Sequence, residues 1–251
     1  MKSRVDLWVA PIESSSTRLL LSYLDILSDR EKQRWRRLRL ESNRNRYLIS
    51  HGLKRLVLSR TVGGEVHPCC WKFRENEHGK PTIAATAGLP CLNFNLSHSE
   101  RLTVVAVCPT FPVGVDIEVL NGTIGTDPTD IVLSPRERAW IETRPLAKRK
   151  EDFVRLWTVK EAYVKLLGQG LSLDFSSIEV TLDPVRMVRT EAGGPQPGDL
   201  YIETRKIEMR DTAYHLALAI RCSSVGRPIV TLRILHSPFI ELYHNDSMES
   251  V

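Results

Sequence analysis

The chain reads as an α+β protein of two lobes of similar plan, joined near residue 112. Two observations give this reading. Segments with helical apolar spacing and segments with strand-like alternation come in blocks: helices then strands, and again helices then strands. The 251 residues, 42% hydrophobic and 26% charged, are enough for one large domain or two small ones of ordinary globular composition. The lobes are expected at residues 1–112 and 113–240, with 241–251 a polar, frayed tail. No internal repeat is strong enough in the sequence to prove that the lobes are copies.

The first helical block runs from Ser28 to Arg60. Ser28 can cap it, with Glu31 as its capping-box partner. Trp35, Leu38, Tyr47, Leu48, Leu53, Leu56 and Val57 supply apolar positions, split over two helices around Ser42-Asn43, and Gly63-Gly64 ends the block. Trp71 to Phe73 and Ile83 read as strand fragments around a turn at Asn76 to Pro81. Leu92 to Leu96 alternates as a strand and ends at Ser97-His98-Ser99. Leu102 to Cys108 is a continuous apolar run, hence a buried strand. With the turn at Pro109 to Pro112 and the strand at Val113 to Val119, it predicts a hairpin.

Gly122 to Asp130 is a loop by composition. Ser134-Pro135 places a cap and a first-turn proline at the start of the next helix. Glu151 to Leu167 is the clearest helix, with Phe153, Leu156, Trp157, Val164 and Leu167 as its stripe and Gly168 as its terminator. Ser177 to Leu182, Leu200 to Glu208, Ala213 to Arg221 and Ile229 to Leu235 follow as strands, with an exposed turn at Gly193 to Gly198.

No apolar run approaches the roughly 20 residues that span a bilayer. The N-terminus has no apolar signal core, so the cytoplasm is the expected compartment. Five cysteines, two of them vicinal, suit reduced thiols better than a disulfide framework. His67-Pro68-Cys69-Cys70 lacks the two-residue gap of a zinc knuckle. The formal charge of +5 is mild and local, concentrated in the arginines and lysine between Arg30 and Arg46. Such a stretch is a solvated helix face or an attractor of polyanions: nucleic acid, anionic lipid, a phosphorylated cofactor or an acidic protein.

Asp116 and Glu118 are two apart on a strand and therefore share a face, with Val115, Ile117 and Val119 turned to the core. Two like charges on one face repel unless a cation sits between them. An exposed strand with basic neighbours reads the same way. Glu161 and Lys165 share a helix face, as a surface ion pair or as part of a site, with Lys160 one position round. A hard cation held by two or three carboxylates keeps open positions for water and phosphates. Ser97-His98-Ser99 at a strand end suits phosphate oxygens or a turn, and no nucleophile elbow accompanies it. Gly79-Lys80-Pro81 is a turn whose lysine can reach a phosphate. Walker and dinucleotide fingerprints are absent.

In this order, Phe94-Asn95-Leu96-Ser97-His98-Ser99, Gly114-Val115-Asp116-Ile117-Glu118 and Trp157-Thr158-Val159-Lys160-Glu161-Ala162-Tyr163-Val164-Lys165 resemble the signature blocks of the 4′-phosphopantetheinyl transferases. The likeness is to the larger, two-lobed, monomeric type that primes peptide and polyketide synthases. Leu27-Ser28 with Glu31 and Arg34, Arg46, Gly79-Lys80-Pro81, Ser134 with Glu137, and Gly168-Gln169-Gly170-Leu171 support it. The resemblance implies two pseudo-twofold-related α+β lobes with coenzyme A in the cleft between them. It implies Asp116, Glu118 and Glu161 as ligands of Mg2+, or of Mn2+, with Asp116 also beside the coenzyme. It places Lys160 and Lys165 near the phosphates, and Ser97 and His98 on a phosphate. Lys80 and Pro81 then lie beside the adenine, and Arg46 at the 3′-phosphate.

The implied reaction is attack by a serine of an apo acyl or peptidyl carrier protein on the β-phosphorus of coenzyme A. The phosphopantetheine arm moves to serine and 3′,5′-adenosine bisphosphate leaves. Glu161, directly or through water, is the expected proton acceptor, and Lys165 the charge stabiliser. Carrier proteins of fatty-acid, polyketide, peptide or aminoadipate systems all fit as partners. No nucleic acid or membrane partner is expected. The Gly122 to Asp130 loop and the helix from Ser134 are the expected carrier-facing surface. A nucleic-acid-binding module using the Arg30 to Arg46 stretch would explain the basic run but not the carboxylates. A phosphate-binding scaffold without catalysis is the other alternative.

Overall fold

The computed structural model describes residues 4–12, 17–85, 88–120, 129–222, 227–236 and 238–244. In chain order these form β1 (Arg4–Pro11), α1 (Thr17–Ile26), α2 (Asp29–Arg37), α3 (Glu41–Thr61), β2 (Phe73–Glu75), β3 (Pro81–Ile83), β4 (Asn93–Ser99) and β5 (Leu102–Cys108). Then come β6 (Val113–Val119), α4 (Thr129–Val132), α5 (Pro135–Thr143), α6 (Leu146–Leu167), β7 (Glu179–Leu182), β8 (Val185–Arg189), β9 (Leu200–Met209), β10 (Thr212–Arg221) and β11 (Ile229–Ile234), with a π-helical turn at Ile240–His244. No helix among the described residues is long and apolar enough to cross a membrane.

The chain divides into two compact units. The first holds Arg4–Glu75, Pro81–Thr110 and the chain from Ile229 onward; the second holds Asn76–Lys80 and Phe111–Pro228. In the first unit the sheet order is β11-β1-β5-β4, with β11 parallel to β1 and the other pairs antiparallel. Leu53, Leu56 and Val57 of α3 join Trp8, Trp71, Phe94 and Val105 in one buried cluster. In the second unit β10 lies between β6 and β9, all antiparallel. Leu156, Val159 and Tyr163 of α6 pack in a buried cluster with Val132, Ile178, Ala217 and Ala219.

The two units repeat one plan: strand, three helices, then four strands, with the last strand hydrogen-bonded between the opening strand and the strand just before it. Leu27-Ser28-Asp29-Arg30-Glu31 and Leu133-Ser134-Pro135-Arg136-Glu137 open equivalent helices, α2 and α5, each with a complete capping box. Each boxed glutamate then pairs with a buried lysine 23 residues on: Lys54 Nζ lies 2.9 Å from Glu31 Oε1, and Lys160 Nζ 2.6 Å from Glu137 Oε2. The repeat was readable in the sequence as Leu-Ser-x-Arg-Glu followed at equal spacing by lysine.

Several expectations are corrected. β5 and β6 do not form a hairpin, because both edges of β5 are taken by β1 and β4 while β6 pairs with β10. Residues 229–234, expected in the second lobe, add a parallel strand to β1 in the first, and Asn76–Lys80 goes with the second unit. The tail does not begin at 241: Phe239 and Leu242 are buried in the first unit's core, and residues 245–251 lie outside the described residues. The break between α2 and α3 falls at Leu38 to Leu40 rather than at Ser42-Asn43, with Leu38 in an extended C-cap conformation. The α6 helix starts at Leu146, earlier than its apolar stripe, and Gly168 ends it in the left-handed region at φ 74°. Strands β1 and β8 and helix α1 were not anticipated.

Candidate active site

The second unit brings Asp116, Glu118, Glu161 and Lys165, all expected, onto one strand and one helix. Gly114 lets β6 lie against α6, since a Cβ there would run into the Ala162 carbonyl oxygen and the backbone of Leu166. Asp116 and Glu118 share the Gly114 face of the strand by its period of two. Val115 and Ile117, on the other face, are fully buried. Glu161 and Lys165, one turn apart on α6, face this pair.

Asp116 is buried, and its Oδ1 accepts a hydrogen bond from Lys165 Nζ at 2.5 Å. Glu118, Glu161 and Lys165 are half-buried. Burial would push the Lys165 ammonium down, but Asp116 and Glu161 outweigh it and hold its pKa above the ordinary lysine value. Burial raises the Glu161 carboxyl to about 7; Lys165 opposes this, and the charges of Asp116 and Glu118 reinforce it. All three carboxylates thus act on Lys165. Among the described residues they do not bring one oxygen each within 4.8 Å of one another, so they form a loose acidic cluster. The donor set is all oxygen and carries more negative than positive charge. Those properties fit a hard divalent cation.

Lys160 is corrected. It is fully buried, and its Nζ donates to the carbonyl oxygens of Val132, Phe175 and Ile178 and to Glu137 Oε2 at 2.6–2.9 Å. A helix buried on most of its circumference turns this position inward, so the lysine binds the fold together and meets no phosphate. Trp157 stacks on Phe175, with ring centroids 5.3 Å apart.

Lys80 is corrected likewise. Its Nζ donates to the Leu166 carbonyl at 2.9 Å and to the Val113 carbonyl at 3.4 Å. Burial lowers its pKa to about 8. The residue ties the C-terminal end of α6, where carbonyls lack helical partners, to the start of β6. Asn76 Nδ2 donates to the Gly168 carbonyl at 2.7 Å and secures the same end.

The remaining expected residues lie in the first unit. Arg46 is half-buried on α3 and donates to Asn43 Oδ1 at 2.5 Å. Pro81 opens β3, opposite Glu75. The Ser97-His98 pair is not a turn: β4 runs through Ser99, which puts Ser97 on the buried face and His98 on the exposed one. Such a pair cannot offer both side chains to one phosphate from the strand. The basic stretch meets Glu75, which takes ion pairs from Arg30 at 3.1 Å and Arg34 at 3.6 Å. Most of the loop expected to face a carrier, residues 121–128, lies outside the described residues.

The profile of the 4′-phosphopantetheinyl transferase superfamily matches residues 112–219, and that of the 4′-phosphopantetheinyl transferase N-terminal region matches residues 13–110. The chain is 30% identical over 192 residues to 4′-phosphopantetheinyl transferase HetI of Nostoc sp., covering 76% of this chain and 79% of that one. It is 29% identical over 201 residues to 4′-phosphopantetheinyl transferase Sfp of Bacillus subtilis, covering 78% and 83%. It is also 29% identical over 163 residues to the L-aminoadipate-semialdehyde dehydrogenase-phosphopantetheinyl transferase of Xenopus laevis, covering 57% and 51%.

Proposed function

Since the chain belongs to the 4′-phosphopantetheinyl transferase superfamily and is such a transferase, we propose that its donor is coenzyme A and its acceptor a serine of an apo acyl or peptidyl carrier protein. The products are the holo carrier and 3′,5′-adenosine bisphosphate. The observation that carries this reading is the Asp116, Glu118 and Glu161 cluster with Lys165 at its centre, inside the matched segment.

Asp116, Glu118 and Glu161 would hold Mg2+, or Mn2+ in its place. When bound, the cation would supply charge neutralisation at the pyrophosphate. Lys165 is anchored by Asp116 and kept protonated by its acidic neighbours, so it presents a fixed positive charge to a pyrophosphate oxygen. Glu161, directly or through water, would accept the serine proton. Arg46, Pro81 and His98 stay part of the proposal as contacts of the adenosine bisphosphate half, whereas Lys160 and Ser97 leave it. A monomer acting without nucleic acid, in the cytoplasm, completes the reading.

The test is to incubate the chain with an apo carrier protein, coenzyme A and magnesium, and to weigh the carrier. A magnesium-dependent gain of one phosphopantetheine per carrier is expected. No gain with carriers from several systems would sink the reading.

A further inference from the structure

Far from the carboxylate cluster in sequence, His67, Cys69 and Cys70 bring Nδ1 and two Sγ atoms together in the first unit, all within 4.8 Å of one another. Among the described residues no other group of three histidine, cysteine or acidic side chains does so. We propose that this triplet is a binding site for a thiophilic divalent ion, zinc being the fitting one, with solvent as the fourth ligand.

Three features of the local structure support it. The first is spacing. The two sulfurs stand 3.9 Å apart. Two thiolates on one tetrahedral zinc, each at about 2.3 Å, stand about 3.8 Å apart, so the vicinal pair is already at ligand separation. The His67 ring nitrogen lies 3.0 Å from Cys69 Sγ, on the same side of the turn. The sequence lacked a zinc-knuckle gap, but a one-turn 3-10 helix at Pro68–Cys70, capped by His67, folds the three side chains together without one.

The second feature is the imidazole tautomer. Nδ1 accepts the Cys69 backbone N–H at 3.4 Å, and Nε2 lies 2.9 Å from the Tyr243 hydroxyl. With Nδ1 an acceptor, the proton sits on Nε2 and is donated to Tyr243. The Nδ1 lone pair, whose long bond from the Cys69 N–H a metal would displace, lies 3.0 Å from Cys69 Sγ. A metal-binding histidine commonly has its other nitrogen held in this way, which fixes ring orientation.

The third feature is rigidity. The fully buried Arg55 donates from Nη1 to the carbonyl oxygens of Pro68 and Trp71, at 2.8 and 3.0 Å. Trp71, also buried, is held by its Nε1 donating to Ser59 Oγ at 2.9 Å. The carbonyls on either side of the cysteine pair are therefore pinned to α3. An exposed site on a fixed backbone loses little freedom when a metal binds.

The test uses the reduced, chelator-treated full chain, titrated anaerobically with Co2+ in excess Mg2+, so that carboxylate sites are filled. The expected result is one Co2+ per chain with a near-ultraviolet thiolate-to-cobalt charge-transfer band, bleached by one equivalent of Zn2+. Cys69→Ser/Cys70→Ser should abolish the band with unchanged circular dichroism, and Cys91→Ser should leave it intact. Tyr243→Phe should weaken zinc binding about 10- to 100-fold. No charge-transfer band in the wild-type chain, or a band that survives the double substitution, overturns the site. Unchanged zinc affinity in Tyr243→Phe overturns the role of the tyrosine. None of these readouts depends on transferase activity.

Discussion

Lys165 Nζ stands 2.5 Å from Oδ1 of Asp116, and this pair joins the central helix of the second unit to its first strand at the acidic cluster. The charges of Asp116, Glu161 and Glu118 all act on this lysine and keep it protonated. A surface ion pair would be worth about 0.3–0.5 kcal/mol and nothing to turnover. A group that stabilises developing charge is different. Lys165→Ala is expected to cut carrier modification by about 10²–10³, a barrier rise of roughly 3–4 kcal/mol, with folding retained. Single-turnover kinetics at saturating coenzyme A checks it, and normal turnover would remove Lys165 from the chemistry.

Gly114 controls how closely β6 approaches α6. Gly114→Ala must push a methyl into the Ala162 carbonyl and the Leu166 backbone. Backbone cannot swing aside as a flexible side chain can. The expected cost is about 1–3 kcal/mol in urea denaturation, together with weaker divalent-metal binding as Asp116 and Glu161 are forced apart.

Lys160 and Glu137 separate a structural lysine from a ligand-binding one. Lys160→Met leaves the buried Glu137 carboxylate without its cation, and about 3–5 kcal/mol of stability should go. Equilibrium unfolding measures this directly. A stable variant with a raised KM for coenzyme A would restore Lys160 to the phosphates.

The equivalent hub in the first unit sets an acid limit. Burial alone would raise the Glu31 carboxyl, but the His51 hydrogen bond and the Lys54 and Arg55 charges hold it well below the usual carboxylate range. Burial holds His51 down to about 4 despite Glu31. Both folded-state values are depressed, so in both cases the unfolded chain binds protons first as pH falls. The contribution of these two groups to stability should be full above about pH 6.5. It should decline toward pH 4 as His51 is forced to charge, and further below about 4.5 through Glu31. Glu31→Gln should lower stability at neutral pH by about 3–5 kcal/mol and flatten the acid part of the profile in urea titrations from pH 7 to 3.

The sequence made some of this legible and hid the rest for physical reasons. Helix ends were readable because caps are local: Ser28, Ser134 and Gly168 act through their own neighbours. Asp116, Glu118, Glu161 and Lys165 were readable because strand and helix periods fix which side chains share a face. Lys80 and Lys160 were misassigned because burial decides a lysine's partners, and the carbonyls they bind come from distant segments. Ser97 and His98 were paired only while β4 was taken to end before them. The strand β11 was placed in the wrong unit because a parallel partner many residues away leaves no local signal. The repeated Leu-Ser-x-Arg-Glu was present all along. What it marks, a buried glutamate reaching the next long helix, emerges only in three dimensions.

The most direct measurement compares the wild-type chain with an Asp116→Asn/Glu118→Gln/Glu161→Gln variant in the mass of an apo carrier after incubation with coenzyme A and magnesium. The near-isosteric amides relieve repulsion in the cluster, so the variant should fold. The carboxylate account predicts a gain of one phosphopantetheine with the wild type, dependent on the metal, and none with the folded variant. Carrier modification by the variant at the wild-type rate would contradict it.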